Sequence, residues 1–201
     1  MTMHRLAATS VLFVSFLSGC VTHVVPEMSR PQSSGIGIEV GFGAFASSLG
    51  RVYFARIDDE DGLLQRGVYI SNYNSGDRAY FLNARPGTYV AVGVLHRSAP
   101  GSAPYTTYFS KELIELTKVT VRENEFVFMG SYVVNTSSGL DGADGLQAHY
   151  RSIIGLYMTH FRNVQYRGTL SEHKNDEMSR NEFLLRTKED FAGSAWAERL
   201  K

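Results

Sequence analysis

From Gly35 to about Asn135, apolar and polar positions alternate in short runs separated by turn residues. That period of two is the mark of antiparallel strands with one face against a core. Ile36, Ile38, Val40 and Phe42 alternate with Gly37, Glu39, Gly41 and Gly43, so one face is apolar and the other nearly bare. Glycine weakens a strand unless the strand bends there or another element packs close, so a kink or a close approach is expected on the bare face. Further runs predict strands over Arg51 to Ile57, Val68 to Tyr73, Arg78 to Asn83, Thr88 to His96, Tyr105 to Phe109, Glu115 to Arg122 and Phe126 to Val134. Between them lie Asp58 to Gly62, Asn74 to Asp77, Arg85-Pro86-Gly87, Ser98 to Pro104 and Glu123-Asn124, where Gly, Pro, Asn and Asp supply turn geometry. About eight short strands at this spacing predict a mainly β fold, an antiparallel β-sandwich or small barrel. Phe126 and Phe128 share one strand face, as do Val119 and Val121, so each pair is expected to be buried.

After Asn135 the pattern changes. Thr136 to Gly145 reads as a polar loop. Leu146, Tyr150, Ile153 and Tyr157 follow at helical spacing, although 153–157 fits a strand equally, and Arg162 to Gly168 predicts a short strand. Ser179-Arg180-Asn181-Glu182 is a capping-box pattern opening a helix whose one face is Phe183, Leu184, Thr187 and Phe191, ending near Gly193. Ser194, Trp196, Ala197 and Leu200 predict a last short helix with one apolar side. The sandwich core is therefore expected over 35–135, with 136–201 as a loop, a mixed segment and C-terminal helices packed on it.

The N-terminus carries a different signal. His4 and Arg5 precede an apolar run, Leu6 to Leu17, too short to span a bilayer, and Leu17-Ser18-Gly19-Cys20 closes it. The tetrapeptide resembles the lipobox of bacterial lipoprotein precursors. That resemblance implies a cleaved signal over 1–19, a diacylglyceryl group on the Cys20 sulfur and acylation of its new amino group. Each buried CH₂ adds about 0.8 kcal/mol, so two or three chains attach the protein stably to a lipid bilayer. Val21 rather than Asp after the cysteine favours the outer membrane in the sorting rule of that family. Cys20 is the only cysteine, so no intramolecular disulfide can form. Val21 to Ser34, with two prolines and no period, reads as a flexible tether reaching roughly 20 Å on average and at most about 45–50 Å.

A second resemblance lies in the sandwich. Tyr80 to Val92, with Arg85-Pro86-Gly87-Thr88-Tyr89 at its centre, looks like the strand, Pro-Gly, Thr-Tyr, strand hairpin of prealbumin-like sandwich domains found in bacterial envelope lipoproteins. Thr117 to Val121 leading into Phe126 to Gly130 continues the likeness. It implies a prealbumin-like or immunoglobulin-like fold and brings no catalytic residues.

Charge narrows the partners. Lys plus Arg and Asp plus Glu number 20 each, and loss of Arg5 with the signal leaves 19 against 20. Such a balance gives no electrostatic case for nucleic acid. Asp141 to Gly145 and the run Asp58 to Asp61 are acidic, but neither has the ligand spacing of a calcium loop, and both read as solvated loops. His149 and His160 would lie about 16 Å apart on a continuous helix, too far to share a metal. No zinc-protease, nucleophile-elbow or phosphate-loop motif is present. Ser110 or Ser131 with His96 and an Asp could assemble a hydrolytic set in space, as scattered polar residues of any such chain could. Asn135-Thr136-Ser137 fits a glycosylation acceptor, which in a bacterial precursor carries no weight. Tyrosines recur on the strands, packing the sheet or lining a face that grips a glycan or an envelope protein. Tyr105 and Tyr108, beside the Ser98 to Pro104 loop, are the candidate interaction residues, together with the Thr136 to Gly145 loop. No cofactor is implied. Two classes remain: a non-enzymatic binding or structural module on a membrane, and an envelope hydrolase or other enzyme with its site assembled from scattered loops.

Overall fold

Alternating sequence becomes strand over most of the predicted runs in a computed structural model that describes residues 24–43, 48–58, 68–99, 101–138 and 164–200. In chain order the elements are β1 (Ser34–Phe42), β2 (Ser48–Arg56), β3 (Val68–Ile70), β4 (Tyr73–Ser75), β5 (Arg78–Ala84), β6 (Gly87–Arg97), β7 (Tyr105–Phe109), α1 (Lys111–Leu116), β8 (Val119–Val121), β9 (Phe126–Ser138), β10 (Val164–Lys174), α2 (Glu177–Asp190) and α3 (Ala195–Arg199). The fold is mainly β with a C-terminal helical segment. Cys20, the acidic residues Asp59 to Asp61, the Asp141 to Gly145 loop, the ambiguous 146–158 stretch, His149 and His160 lie outside the described residues.

The strand expected over Glu115 to Arg122 is corrected. Ser110 sits extended and its Oγ accepts the Leu113 N–H at 3.3 Å, starting α1 in a run of good helix formers. Leu113 and Ile114 are buried, leaving only Val119–Val121 as strand. The helical start is likewise earlier than the capping-box pattern. Asp176, not Ser179, caps α2, its carboxylate accepting the Ser179 N–H at 2.8 Å while the Ser179 hydroxyl donates to the Asp176 carbonyl at 3.0 Å.

The strands form one ten-stranded sheet ordered β3-β2-β6-β7-β10-β9-β1-β5-β4, with β8 beside β6. It is mixed rather than wholly antiparallel, because β1 with β9 and β7 with β10 run parallel. The Arg85-Pro86 turn, expected to close a hairpin, joins strands that do not pair: β5 lies between β1 and β4, and β6 between β2 and β7. The chain crosses there instead, and the crossing is fastened by the buried Tyr89, whose hydroxyl donates to the Arg85 carbonyl at 2.9 Å.

The end strands of the sheet are consecutive in sequence. Ser71 donates its N–H to the Val52 carbonyl at 2.9 Å and accepts the Val52 N–H on its hydroxyl at 3.1 Å. Asn72 donates its N–H to the Tyr80 carbonyl at 2.9 Å, and its amide bonds both main-chain groups of Leu82 at 2.9 and 2.8 Å. A run expected as one strand, Val68 to Tyr73, is thus broken at two residues that sew the two ends of the sheet together.

Two apolar clusters result. The first includes Ile36, Ile38, Val40, Val52, Phe54, Val92, Val94, Phe109 and Val134. On the opposite face of β5 and β9, Tyr80, Leu82, Phe126 and Phe128 pack against Phe183, Phe191, Trp196 and Leu200 from the helical end. Along β9 the two faces exchange parity at Gly130, which has φ +128° where the register with β1 slips between Gly37 and Glu39. Val127 and Met129 before it, and Tyr132 and Val134 after it, therefore all meet the first cluster. Val121 is buried but Val119 only half-buried. The bare face of β1 receives the helix: a Cβ on Gly37 would stand 2.6 Å from Phe183 Cζ.

The expected tether is bound along the second cluster from Val25 onward. Trp196 Nε1 donates to the Pro26 carbonyl at 2.9 Å, Asn83 Nδ2 to the Glu27 carbonyl at 2.9 Å, and the Ser29 N–H to Asn83 Oδ1 at 2.8 Å. Val25 and Met28 pack on the same cluster, and Arg199 reaches the Pro31 carbonyl.

Candidate functional site

β3 pairs with β2 only over Tyr53 to Ala55, so Ser48 to Arg51 have no strand partner on that side. Across from them β4 pairs only with β5. The two ends approach through Asn74, whose side-chain N–H donates to the Gly50 carbonyl. Between and beside them is a cavity of about 940 Å³. Its lining includes Ser48, Arg51, Asn74, His96 and Arg97, and no acidic residue occurs among the described residues that line it.

Register fixes the charged part. Arg97 stands opposite Ser48 and Leu95 opposite Arg51, with the ladder slipping between Leu49 and Arg51. Leu95 and Arg97 are two apart and share a face, so Arg51 and Arg97 are diagonal neighbours on that face across the slip. Both are exposed, and neither meets a carboxylate among the described residues. Each guanidinium carries five N–H donors in a planar fork, and none of them bonds an acceptor among the described residues.

His96 lies at the inner wall, 4% exposed. Its ring stacks on Phe42 at 4.5 Å between centroids, its Nε2 bonds the Thr107 hydroxyl at 2.8 Å, and Nδ1 has no partner among the described residues. Burial pushes its pKa down, so the imidazole is neutral near pH 7. The serines considered with it stand elsewhere: Ser110 caps α1, and Ser131 is in β9 at the level of Glu39 and Lys174. His173, on β10, stacks on Tyr132 at 4.8 Å. Among the described residues no group of three His, Cys, Asp or Glu is placed to hold a metal ion.

The two candidate tyrosines separate. Tyr105 is half-buried with its ring 6.1 Å from His96. Tyr108 is 2% exposed within the first cluster, and burial drives its hydroxyl pKa far up, so it packs the core and offers no surface. The adjoining loop is held by its own turn, Ser102 donating N–H and O–H to the Ala99 carbonyl at 3.1 and 2.8 Å. Of the Thr136 to Gly145 loop, Thr136 to Ser138 continue β9.

Comparison with known protein families, curated proteins and solved structures finds no match for this chain. Among the described residues no helix is long and apolar enough to cross a membrane.

A second polar cluster holds α2 to the sheet. Arg78 grips Asp190 through Nε and Nη2 at 2.7 and 2.8 Å, and Ser75 and Tyr80 hydroxyls donate to the same carboxylate. Burial works to raise the Asp190 pKa, but the Arg78, Tyr80 and Ser75 hydrogen bonds hold it below the ordinary range. Beside it Arg186 bridges Glu39 at 3.0 Å and Asp77 at 2.8 Å. Burial and the neighbouring Asp77 push the Glu39 carboxyl up. Sequence reading missed this cluster, although an aspartate in the last turn of a helix opposes the dipole and signals a partner elsewhere. Arg51 and Arg97 had no such signal, being brought together only by cross-strand register.

Proposed function

We propose that this protein is a lipoprotein of the bacterial envelope, lipidated at Cys20 and held at a membrane, the outer membrane favoured, where it binds a ligand without chemically changing it. The lipobox-like Leu17-Ser18-Gly19-Cys20 supports the anchor. The observation that carries binding is the cavity between the ends of the sheet, which offers guanidinium groups without a carboxylate partner among the described residues. Its histidine supports no hydrolytic relay: the imidazole is buried, hydrogen-bonded to Thr107 and placed apart from Ser110 and Ser131. The ligand is an envelope glycan or protein, and the wall it meets includes Pro104, next in sequence to the half-buried Tyr105.

For the body we favour a two-layer sandwich of the prealbumin-like kind. The chain crosses at Pro86 between strands that do not pair, and a buried tyrosine bonds back four residues at that crossing, as tyrosine corners do in such sandwiches. β2, β3, β6, β7 and β8 would form one layer and β1, β4, β5, β9 and β10 the other.

Metabolic labelling with a fatty acid tests the anchor. Label is expected on the native chain and lost in Cys20→Ser; equal labelling of both refutes lipidation. Envelope pull-down with the lipidated protein tests the binding role, and turnover in a hydrolase screen that a His96→Ala change abolishes would replace it with the enzyme reading.

A further inference from the structure

We infer that the cavity between the sheet ends takes an acidic saccharide, a hydroxyl-rich ligand whose carboxylate or phosphate groups reach both Arg51 and Arg97. The inference rests on the binding role and names the chemistry of its ligand. Two guanidinium groups stand diagonally on one face of the β2–β6 pair, exposed and without a carboxylate partner among the described residues. No described lining residue is acidic, so the described lining carries positive charge from Arg51 and Arg97. Arginine's planar fork binds carboxylate and phosphate oxygens in pairs, which a free, hydrated guanidinium is set to do.

Size and surroundings narrow the ligand. About 940 Å³ is far more than one ion needs and matches the upper end of small-ligand pockets. Beside the arginines the wall offers the Ser48 hydroxyl and the Asn74 amide oxygen, neutral groups suited to sugar hydroxyls. An acidic peptide added as a strand is disfavoured, because the β2 edge is already engaged: Asn74 holds the Gly50 carbonyl and Ser71 holds both main-chain groups of Val52. Arg51 and Arg97 sit two residues apart across the ladder, so a ligand with acidic groups on one sugar or on adjacent sugars spans them.

Calorimetric titration of the full chain with trigalacturonate, glucose 1,6-bisphosphate, maltotriose and pentaglutamate tests this. At least one of the two acidic saccharides is expected to bind saturably, more weakly as salt rises, with maltotriose at least tenfold weaker. Arg51→Gln and Arg97→Gln should each weaken that binding about tenfold or more while leaving the melting temperature unchanged. Whichever acidic saccharide binds tells carboxylate from phosphate. Should either glutamine variant lose stability, Arg51→Lys and Arg97→Lys replace them, keeping the charge and losing the paired bonds, with weaker binding still expected. Equal binding of maltotriose, binding of pentaglutamate alone, no binding of either acidic saccharide, or wild-type affinity in the arginine variants overturns the inference. Envelope partner capture that persists in Arg51→Gln and Arg97→Gln would leave the binding role standing and remove only this ligand.

Discussion

Replacing Gly37 with alanine tests how the helical end is seated on the sheet. In an ordinary strand that change gains about 0.5–1 kcal/mol, because glycine gives up the most backbone freedom on folding. Here the added Cβ would lie 2.6 and 2.8 Å from Phe183 Cζ and Cε1 and 3.0 Å from Phe126 Cζ. Phe183 has little room to yield: it is 1% exposed, and its ring stacks on Phe128 at 4.4 Å. Overpacking of this kind costs about 1–3 kcal/mol, and against the gain from lost glycine freedom the net is a loss of up to about 2.5 kcal/mol. Urea unfolding of the chain from residue 20, carrying Cys20→Ser and followed by the single tryptophan, Trp196, reads the region directly, since that ring is in the same cluster. Phe183→Leu removes the ring atoms that the new methyl would meet. The double variant should therefore lose about 1 kcal/mol less than the sum of the singles, well beyond the ~0.3–0.5 kcal/mol scatter of independent sites. A stabilised Gly37→Ala, or an additive cycle, would refute the seating of α2 on β1.

Asp190→Asn should cost about 2–3 kcal/mol, because Arg78 loses its paired bonds to a charged carboxylate and keeps only the half-exposed Asp77 at 3.3 Å. Because the folded Asp190 pKa is depressed, the stability it contributes is present above its unfolded value near 3.9 and is lost as pH falls through the folded value, so acid unfolding below about pH 4 should be steeper in the wild type than in the variant. Glu39 has the opposite sign: its folded pKa is raised, so stability falls as pH rises through that value, and Glu39→Gln, which keeps an acceptor for Arg186, should be the more stable at pH 7 and equal to wild type once Glu39 is protonated. Tyr89→Phe should cost about 1 kcal/mol, a melting shift of about 2–4 °C, through loss of the bond to the Arg85 carbonyl.

Local pattern carried what local physics decides. The bare side of β1 announced a close approach, and Phe183 makes it; the spacing of Phe183, Thr187 and Phe191 announced the buried face of α2. What the pattern could not carry was pairing across long separations. Pro86 looks the same whether the chain folds back or crosses, and the difference lies in Ile36 to Glu39 pairing with β5 while Tyr89 to Arg97 pair with β2. The parallel pairs and the Gly130 slip have the same origin. Val25 to Ser33 looked like a tether because, beside the packing of Val25 and Met28, it is held by main-chain carbonyls offered to Trp196, Asn83 and Arg199, to which side-chain composition is blind. Tyr108 misled for a related reason: alternation gives two faces, and here the strand carrying it has both covered.

The bound N-terminal segment changes what lipidation at Cys20 would mean. A tether free to Ser34 would let the body wander tens of ångströms from a bilayer, so no face would be favoured. With the chain fixed from Val25, only Val21 to Val24 stand between the anchor and the body, a span of at most about 18 Å. Lipidation would then hold the α3 side, where Trp196 and Arg199 clasp Pro26 and Pro31, close to the headgroups. The cavity is fixed in the same rigid frame, since β5 carries both the Asn83 that binds the segment and the Leu82 that binds Asn72 at the sheet seam. Orientation of the ligand site relative to the membrane would follow from packing, through one strand, without any further contact to the bilayer.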